Sequence, residues 1–145
     1  MATNGLEIFD TTMQTTNAWL DEVMTKLGPD RRVAWKVLST VLHKLRDRLP
    51  VDVAAHLGAQ LPLLIRGAYY DQYRPSIQPT AWNKEEFLDE VDRRLSDIRP
   101  VDRCNAVTWV FELLSRHLSV GQISKVRQAL PKDIRALWSM PVDAL

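Results

Sequence analysis

The sequence has a single cysteine, only five scattered glycines and no long apolar run. One thiol, Cys104, cannot form an internal disulfide and offers no zinc-ligand spacing, so a reducing, cytoplasmic environment fits it best. The apolar stretches fall well short of the roughly 18 residues expected of a membrane span, and the first residues lack the features of a secretory signal. The glycines form no phosphate-binding loop and no Gly-x-Ser-x-Gly elbow. These absences predict a soluble cytoplasmic protein.

Neither sign of charge dominates the chain, since 19 Lys and Arg residues balance 18 Asp and Glu residues. A near-neutral chain exerts no general attraction on nucleic acids or anionic membranes. One local group of basic residues keeps weak nucleic-acid binding open as an alternative, although Asp30 and Asp47 interleave with it. The group comprises Arg31, Arg32, Lys36, Lys44, Arg46 and Arg48.

Apolar residues recur at helical spacing through the first half of the chain. From Asp10 to Leu27 the stripe is Met13, Leu20, Val23 and Leu27, and Gly28 supplies a left-handed stop. A second helix ends before Pro50, with the stripe Ala34, Leu38, Val41, Leu42, Leu45 and Leu49. A short third helix follows from Val51, and Pro62 is expected at the first position of a fourth, because proline is harmless there.

The second half repeats this series after a linker at residues 71–82 that contains two prolines. Asn83 with Glu86, and Ser119 with Gln122, are capping-box patterns that predict two helix starts. The helix after Asn83 has the stripe Phe87, Leu88, Val91 and Leu95, another covers 101–118, and the last is "PKDIRALW". No segment has the period of two expected of strands, so the predicted fold class is all-α.

A phrase is written twice, 69 residues apart: Leu61-Pro62-x-x-Ile65-Arg66 and Leu130-Pro131-x-x-Ile134-Arg135. At the same offset Leu45, Leu49 and Val51 match Leu114, Leu118 and Val120, and Tyr69 matches Trp138. We therefore predict one compact domain over 1–145, built by internal duplication from two units of about four helices each. Unit one covers about 10–71 and unit two about 83–139.

Arg66 and Arg135 are the repeated residues whose role is open. In the structural interpretation, each arginine bonds open carbonyl ends of a neighbouring helix or pairs with a local carboxylate. In the alternative, the two arginines form related sites for a small anion or metabolite between the repeats. The structural interpretation is favoured, because both units need the same joint, that is, the connection between their third and fourth helices. A binding function would need only one copy.

Three stretches resemble the bacterial proteins grouped as domain of unknown function 2267. They are "LRDRLPVDVAAHLGAQLPLLIRGAYYDQYRPS", "FLDEV" and "LPKDIRALW", and the likeness extends from about Leu20 to Trp138. The run from Ala59 to Tyr69 is its most specific part. The resemblance implies a compact, all-helical bacterial protein and carries no catalytic or binding residues with it.

The residues themselves suggest no enzyme, metal site or cofactor. Asp52 and His56 are one helical turn apart, but such a pair is far more often a surface contact than an oriented base. The carboxylates of "KEEFLDEVDRR" spread over one helix, and no His, Cys, Asp and Glu grouping has metal-ligand spacing.

Aromatic residues around the linker are the remaining lead. Tyrosine and arginine are favoured in interfaces, although tyrosines also pin down long linkers. The leading hypothesis is a non-enzymatic module that binds a protein partner or another copy of itself. Its candidate binding residues are Arg66, Arg135, Tyr69, Tyr70, Tyr73 and Trp138, with Trp82 beside them.

The structural interpretation of Arg66 can be tested by substitution. We expect Pro62→Ala and Pro131→Ala each to lower stability moderately, and Arg66→Ala to lower it more, because open helix ends lose their donor. Urea unfolding measures all three effects. An Arg66→Ala variant as stable as the parent would refute this role.

Overall fold

The all-helical prediction is confirmed: a computed structural model describes residues 5–138, which contain eight α-helices and no strand. The termini of the predicted domain, 1–4 and 139–145, lie outside the described residues. The helices are α1 (Glu7–Leu27), α2 (Arg31–Arg48), α3 (Val51–Ala59), α4 (Leu63–Tyr70), α5 (Lys84–Arg94), α6 (Arg103–His117), α7 (Val120–Ala129) and α8 (Lys132–Arg135). A short 3-10 turn, Pro75–Ile77, lies in the linker.

Most helix ends follow the signals in the sequence. Gly28 ends α1 with a φ of 102°, in the region that favours glycine. Asn83 and Glu86 form both bonds of a capping box at the start of α5. Of the second box, the only bond found among the described residues is the one that Ser119 Oγ accepts from the Gln122 backbone N–H, at 3.1 Å.

The two repeated prolines lie one residue earlier than predicted. Pro62 and Pro131 directly precede the first helical residues of α4 and α8 instead of occupying those positions. The physical reason for the proline is unchanged, because an N–H at a helix start has no intrahelical acceptor. The eighth helix is also shorter than predicted, because turns replace helix at 136–138.

Helix α2 is the central element and packs against α1, α4, α5 and α6. Its predicted stripe is buried throughout, as is that of α5. Met13, which the sequence places in the stripe of α1, is instead exposed. The buried residues of α1 begin only at Thr16, because the first half of this helix extends past the core.

Helix contacts occur in matching pairs. Helix α1 packs on α4 and α6, just as α5 packs on α8 and α2, and α3 packs on its counterpart α7. Helices α3 and α7 begin at Val51 and Val120, 69 residues apart, as do α4 and α8. Two related units would give this pattern, while the duplication itself stays a prediction.

Gly58 lies where α3 meets the tyrosines of α4. A Cβ at this position would be 2.9 Å from a ring carbon of the buried Tyr69 and 2.5 Å from the Tyr70 hydroxyl oxygen. Nothing lies within 4 Å of a Cβ built on Gly67, which is also helical. The two glycines therefore make a matched pair.

We expect Gly58→Ala to destabilise the protein by about 1–3 kcal/mol, because the ring of Tyr69 cannot move without disturbing the core. Gly67→Ala should stabilise it by roughly 0.5–1 kcal/mol through helix propensity. Urea unfolding measures both changes. Equal stabilisation by the two alanines would contradict the close packing at Gly58.

Candidate functional site

Arg66 and Arg135 make equivalent hydrogen bonds in the two halves of the chain. Arg66 Nη2 donates to the carbonyl oxygens of Leu61 and Ala59, at 2.9 and 3.3 Å. Arg135 Nη2 donates to those of Leu130 and Gln128, at 2.9 and 3.4 Å. Each guanidinium thus caps carbonyls at the C-terminal end of the preceding helix, where they have no intrahelical donor. The Nε atom of each arginine is buried and has no hydrogen-bond partner among the described residues.

Tyr69 and Trp138, the aligned aromatic pair, are both buried. The Tyr69 hydroxyl donates to the Ala54 carbonyl oxygen at 2.7 Å, and burial raises its pKa far above the usual range. The indole N–H of Trp138 donates to Ser115 Oγ at 2.7 Å, and its ring stacks on Phe111. Neither side chain belongs to the surface, so neither is accessible to a partner in this structure.

Tyr70 and Tyr73 hold the linker against the helices. The ring of Tyr70 lies edge-on to Tyr69, and Tyr73 packs against Tyr70 with ring centroids 5.7 Å apart. The Tyr73 hydroxyl bonds the side chain of Gln78, whose Nε2 donates to the carbonyl oxygens of Arg46 and Leu49. Trp82 contacts Phe87 edge-on. Tyr73 therefore attaches the linker to the end of α2 through Gln78, and Trp82 packs it against α5.

Arg46 was placed in the basic group by the sequence analysis, which missed its structural role, since it is only 3% exposed. Its Nη1 donates to the carbonyl oxygens of Tyr69 and Asp71, at 2.6 and 3.0 Å, and its Nε pairs with Asp47 at 2.9 Å. Its guanidinium also lies over the Tyr73 ring. A signal was present in the sequence, because Arg46 is four residues after Leu42 and so occupies a stripe position of α2.

Exposed apolar side chains gather where the first half of α1 meets α4. Leu63 and Leu64 are 46% and 44% exposed, and Ile8 and Phe9 are 58% and 45% exposed. The Leu64 N–H donates to Thr12 Oγ1 at 2.9 Å, which joins the two helices. We call Ile8, Phe9, Leu63 and Leu64 the apolar patch. It differs in location from the linker surface that the sequence favoured.

A groove of about 660 Å³ runs beside the patch. Phe9, Leu63 and Leu64 form one wall, and Trp35 of α2 contributes to another. His43 and Arg94 lie among the polar residues that line it. The groove thus combines apolar walls with a few polar groups, which is the usual composition of a binding site.

The basic group of the first half is largely occupied by internal contacts. Arg31 pairs with Asp21, Lys36 with Asp97, and Lys44 with Glu90. Arg48 donates to the Trp82 carbonyl oxygen, and Arg46 is buried. Of this group only Arg32 has no partner among the described residues. These pairings weaken the case for a basic surface that binds nucleic acid.

The other candidate groups offer little chemistry. His56 and Asp52 are exposed and share no hydrogen bond in the part of the chain that the structure describes. His117 and Arg116 instead bond Glu22, and these bonds lower the pKa of Glu22 although burial opposes them. Cys104 is half-buried near the start of α6. Within residues 5–138 no three His, Cys, Asp or Glu side chains could hold a metal ion, and no helix there has the length and hydropathy to cross a membrane.

Arg46 provides the sharpest test of this region. We expect Arg46→Lys to cost roughly 2 kcal/mol or more, because one ammonium group cannot serve two carbonyls and a carboxylate in the geometry of a guanidinium. Arg48→Lys is the control, since Arg48 lies in the same helix and makes a single bond at 2.8 Å, and it should cost less than about 1 kcal/mol. Urea unfolding measures both. Equal losses would contradict the anchoring role of Arg46.

The comparisons with known proteins agree with the sequence resemblance. No curated protein matches the chain. A family described as an uncharacterized conserved protein, DUF2267, matches residues 16–137, which include the joints, the linker and most of the groove. Because the match covers most of the 145 residues, this chain belongs to the DUF2267 family.

Proposed function

We propose that this protein is a non-enzymatic interaction module that binds an apolar segment of a partner protein in the groove beside the apolar patch. The observation that carries the proposal is the exposure of Ile8, Phe9, Leu63 and Leu64 at one place on the surface. Single exposed apolar residues are normal in proteins, whereas neighbouring ones bordering a groove are typical of interaction sites.

The local sequence explains why these side chains are exposed. Leu61 and Ile65, one turn apart, are buried, so the intervening Leu63 and Leu64 point away from the core. In α1, burial begins at Thr16, which leaves the earlier apolar residues without the core beneath them. Apolar side chains that contribute so little to the core are more readily explained by a partner than by stability.

The groove favours a helix or an extended segment as its occupant. Helices α1 and α4 are joined by the hydrogen bond between Thr12 and Leu64, and their exposed apolar side chains border the groove. An apolar face of a partner segment can pack against these side chains. Leu63 and Leu64 both line the groove, so they would contact the partner together. A second copy of this chain is the competing occupant.

The test is site-specific photo-crosslinking in cells of the source organism. A benzoyl-phenylalanine residue at Phe9 should capture a protein, and Leu64→Asp should weaken capture at least tenfold, because burying a charge opposes docking. Both substitutions are on the surface, so stability should change by no more than about 0.5 kcal/mol.

Val120 gives a matched control, since it is apolar and 72% exposed but lies at the start of α7. A crosslinker at Val120 should capture nothing, and Val120→Asp should leave capture from Phe9 unchanged. A crosslinked product with twice the mass of this chain would identify self-association as the interaction. Equal capture from both positions, or none from Phe9, would refute the proposal.

A further inference from the structure

A second, more enclosed cleft shares His43 with the groove. It has a volume of about 250 Å³ and is formed by α2, the linker and α5. His43, Lys44 and the Arg46–Asp47 pair line it from α2, Arg74 from the linker and Arg94 from α5. It therefore lies between the two predicted units and is distinct from the joints of Arg66 and Arg135.

The charges in this cleft do not balance. Asp47 pairs with Arg46, and Lys44 shares Glu90 with Arg93, so Arg46 and Lys44 each have a carboxylate partner. The side chains of Arg74 and Arg94 make neither a hydrogen bond nor an ion pair within residues 5–138. The only other arginine in that range whose side chain lacks a partner is Arg32, so two of the three such guanidinium groups line one small cleft.

The pKa of His43 is affected by its burial and by the charges that line the cleft. Its Nε2 lies 2.6 Å from the Ala68 carbonyl oxygen, to which it donates. Burial lowers the pKa of His43, the charges of Arg46 and Arg94 lower it further, and the Ala68 bond and Asp47 oppose them. The charged residues that line these two cavities with His43 come from three parts of the chain: Lys36, Lys44, Arg46 and Asp47 on α2, Asp71 and Arg74 after α4, and Arg94 on α5.

We propose that this cleft binds a small free anion that carries phosphate, sulfate or carboxylate groups, held by Arg74 and Arg94. Guanidinium groups bind such oxyanions through paired N–H donors, and two of them on separate elements can approach one anion from two sides. An anion would also offset the repulsion between the unpaired cations. The volume of the cleft suits a small oxyanion or a short dicarboxylate better than a larger ligand.

The test is a titration followed by the NMR signal of the His43 imidazole. Sulfate is the first probe, because its own charge is constant near neutral pH, and chloride at equal ionic strength is the reference. We expect saturable sulfate binding that raises the pKa of His43 by about one unit, since an anion within a few ångströms favours the imidazolium. A His43→Gln variant assigns the signal, because the chain contains two other histidines, His56 and His117.

Matched arginine variants decide which residues hold the anion. Arg94→Gln and Arg74→Gln should each weaken sulfate binding about tenfold or more, as expected for loss of a charge-assisted bond. Arg93→Gln is the control on the same helix, because Arg93 pairs with Glu90, and Arg32→Gln is the control for an unpaired arginine elsewhere. Both controls should bind sulfate as the parent does.

Competition experiments distinguish a small free anion from an acidic segment of a protein. Phosphate and succinate should compete with sulfate, whereas a hexaglutamate peptide should compete no better than succinate. Binding of the peptide alone would overturn the proposal in favour of an acidic protein partner, and so would a response to sulfate that Arg93→Gln weakens as much as Arg94→Gln. Ile8→Asp should weaken capture at the apolar patch but leave sulfate binding unchanged, because Ile8 lines neither the groove nor the cleft that contain Arg94. This proposal and the proposed function can therefore fail separately.

Discussion

The buried guanidinium of Arg46 is the interaction on which the arrangement of α2, α4 and the linker depends. The last carbonyls of α4 have no intrahelical donor, and the chain turns away there into a segment with little regular structure. Arg46 on α2 donates to one of these carbonyls, that of Tyr69, and to the carbonyl of Asp71 just after the helix, and Asp47 compensates its charge inside the protein. A buried ion pair of this kind contributes more through its hydrogen bonds and fixed geometry than through Coulomb attraction alone. Residues of α4 line the groove, and residues of the linker line the cleft. The shapes of the groove and of the cleft therefore both depend on the bonds of Arg46.

The repeated Leu-Pro-x-x-Ile-Arg phrase solves a second, local problem in both halves of the chain. A sharp turn between two short helices leaves carbonyls open on one side and donors open on the other. Proline removes one donor, and the arginine five residues after the leucine returns to cap the carbonyls that remain. The hydrogen bonds have the same pattern and nearly the same lengths at Arg66 and at Arg135. This equivalence favours a structural role for both residues, and it is the reason why we assign anion binding to other arginines.

The sequence predicted the helices well, because their ends and stripes depend on local chemistry. Helix caps and apolar stripes depend on residues close together in the chain, so a single sequence suffices to interpret them. Examples are Gly28, Asn83 with Glu86, and the stripes of α2 and α5. The sites were harder to predict, since surface and interior are decided by packing over long distances. Arg46 was grouped with the basic residues that kept nucleic-acid binding open, although its spacing from Leu42 placed it on the apolar stripe, where an arginine is rarely found. Tyr69 and Trp138 were candidates for an interface because aromatic residues favour both interfaces and cores, and only the fold distinguishes these. The apolar patch depends on α1 beginning before Asp10, where no cap marks the start.

The groove and the cleft are physically linked, because His43 and Arg94 line both of them. An anion in the cleft would draw the guanidinium of Arg94 toward it and reduce the positive potential at that end of the groove. A partner that places a carboxylate beside Arg94 would compete with the anion, whereas a partner that contributes only apolar side chains would not. Linkage requires the effect to be reciprocal, so whatever one ligand does to the affinity of the other must hold in reverse. Of the two lining residues, Arg94 is the exposed one and His43 is held by its bond to Ala68, so coupling would pass mainly through the arginine.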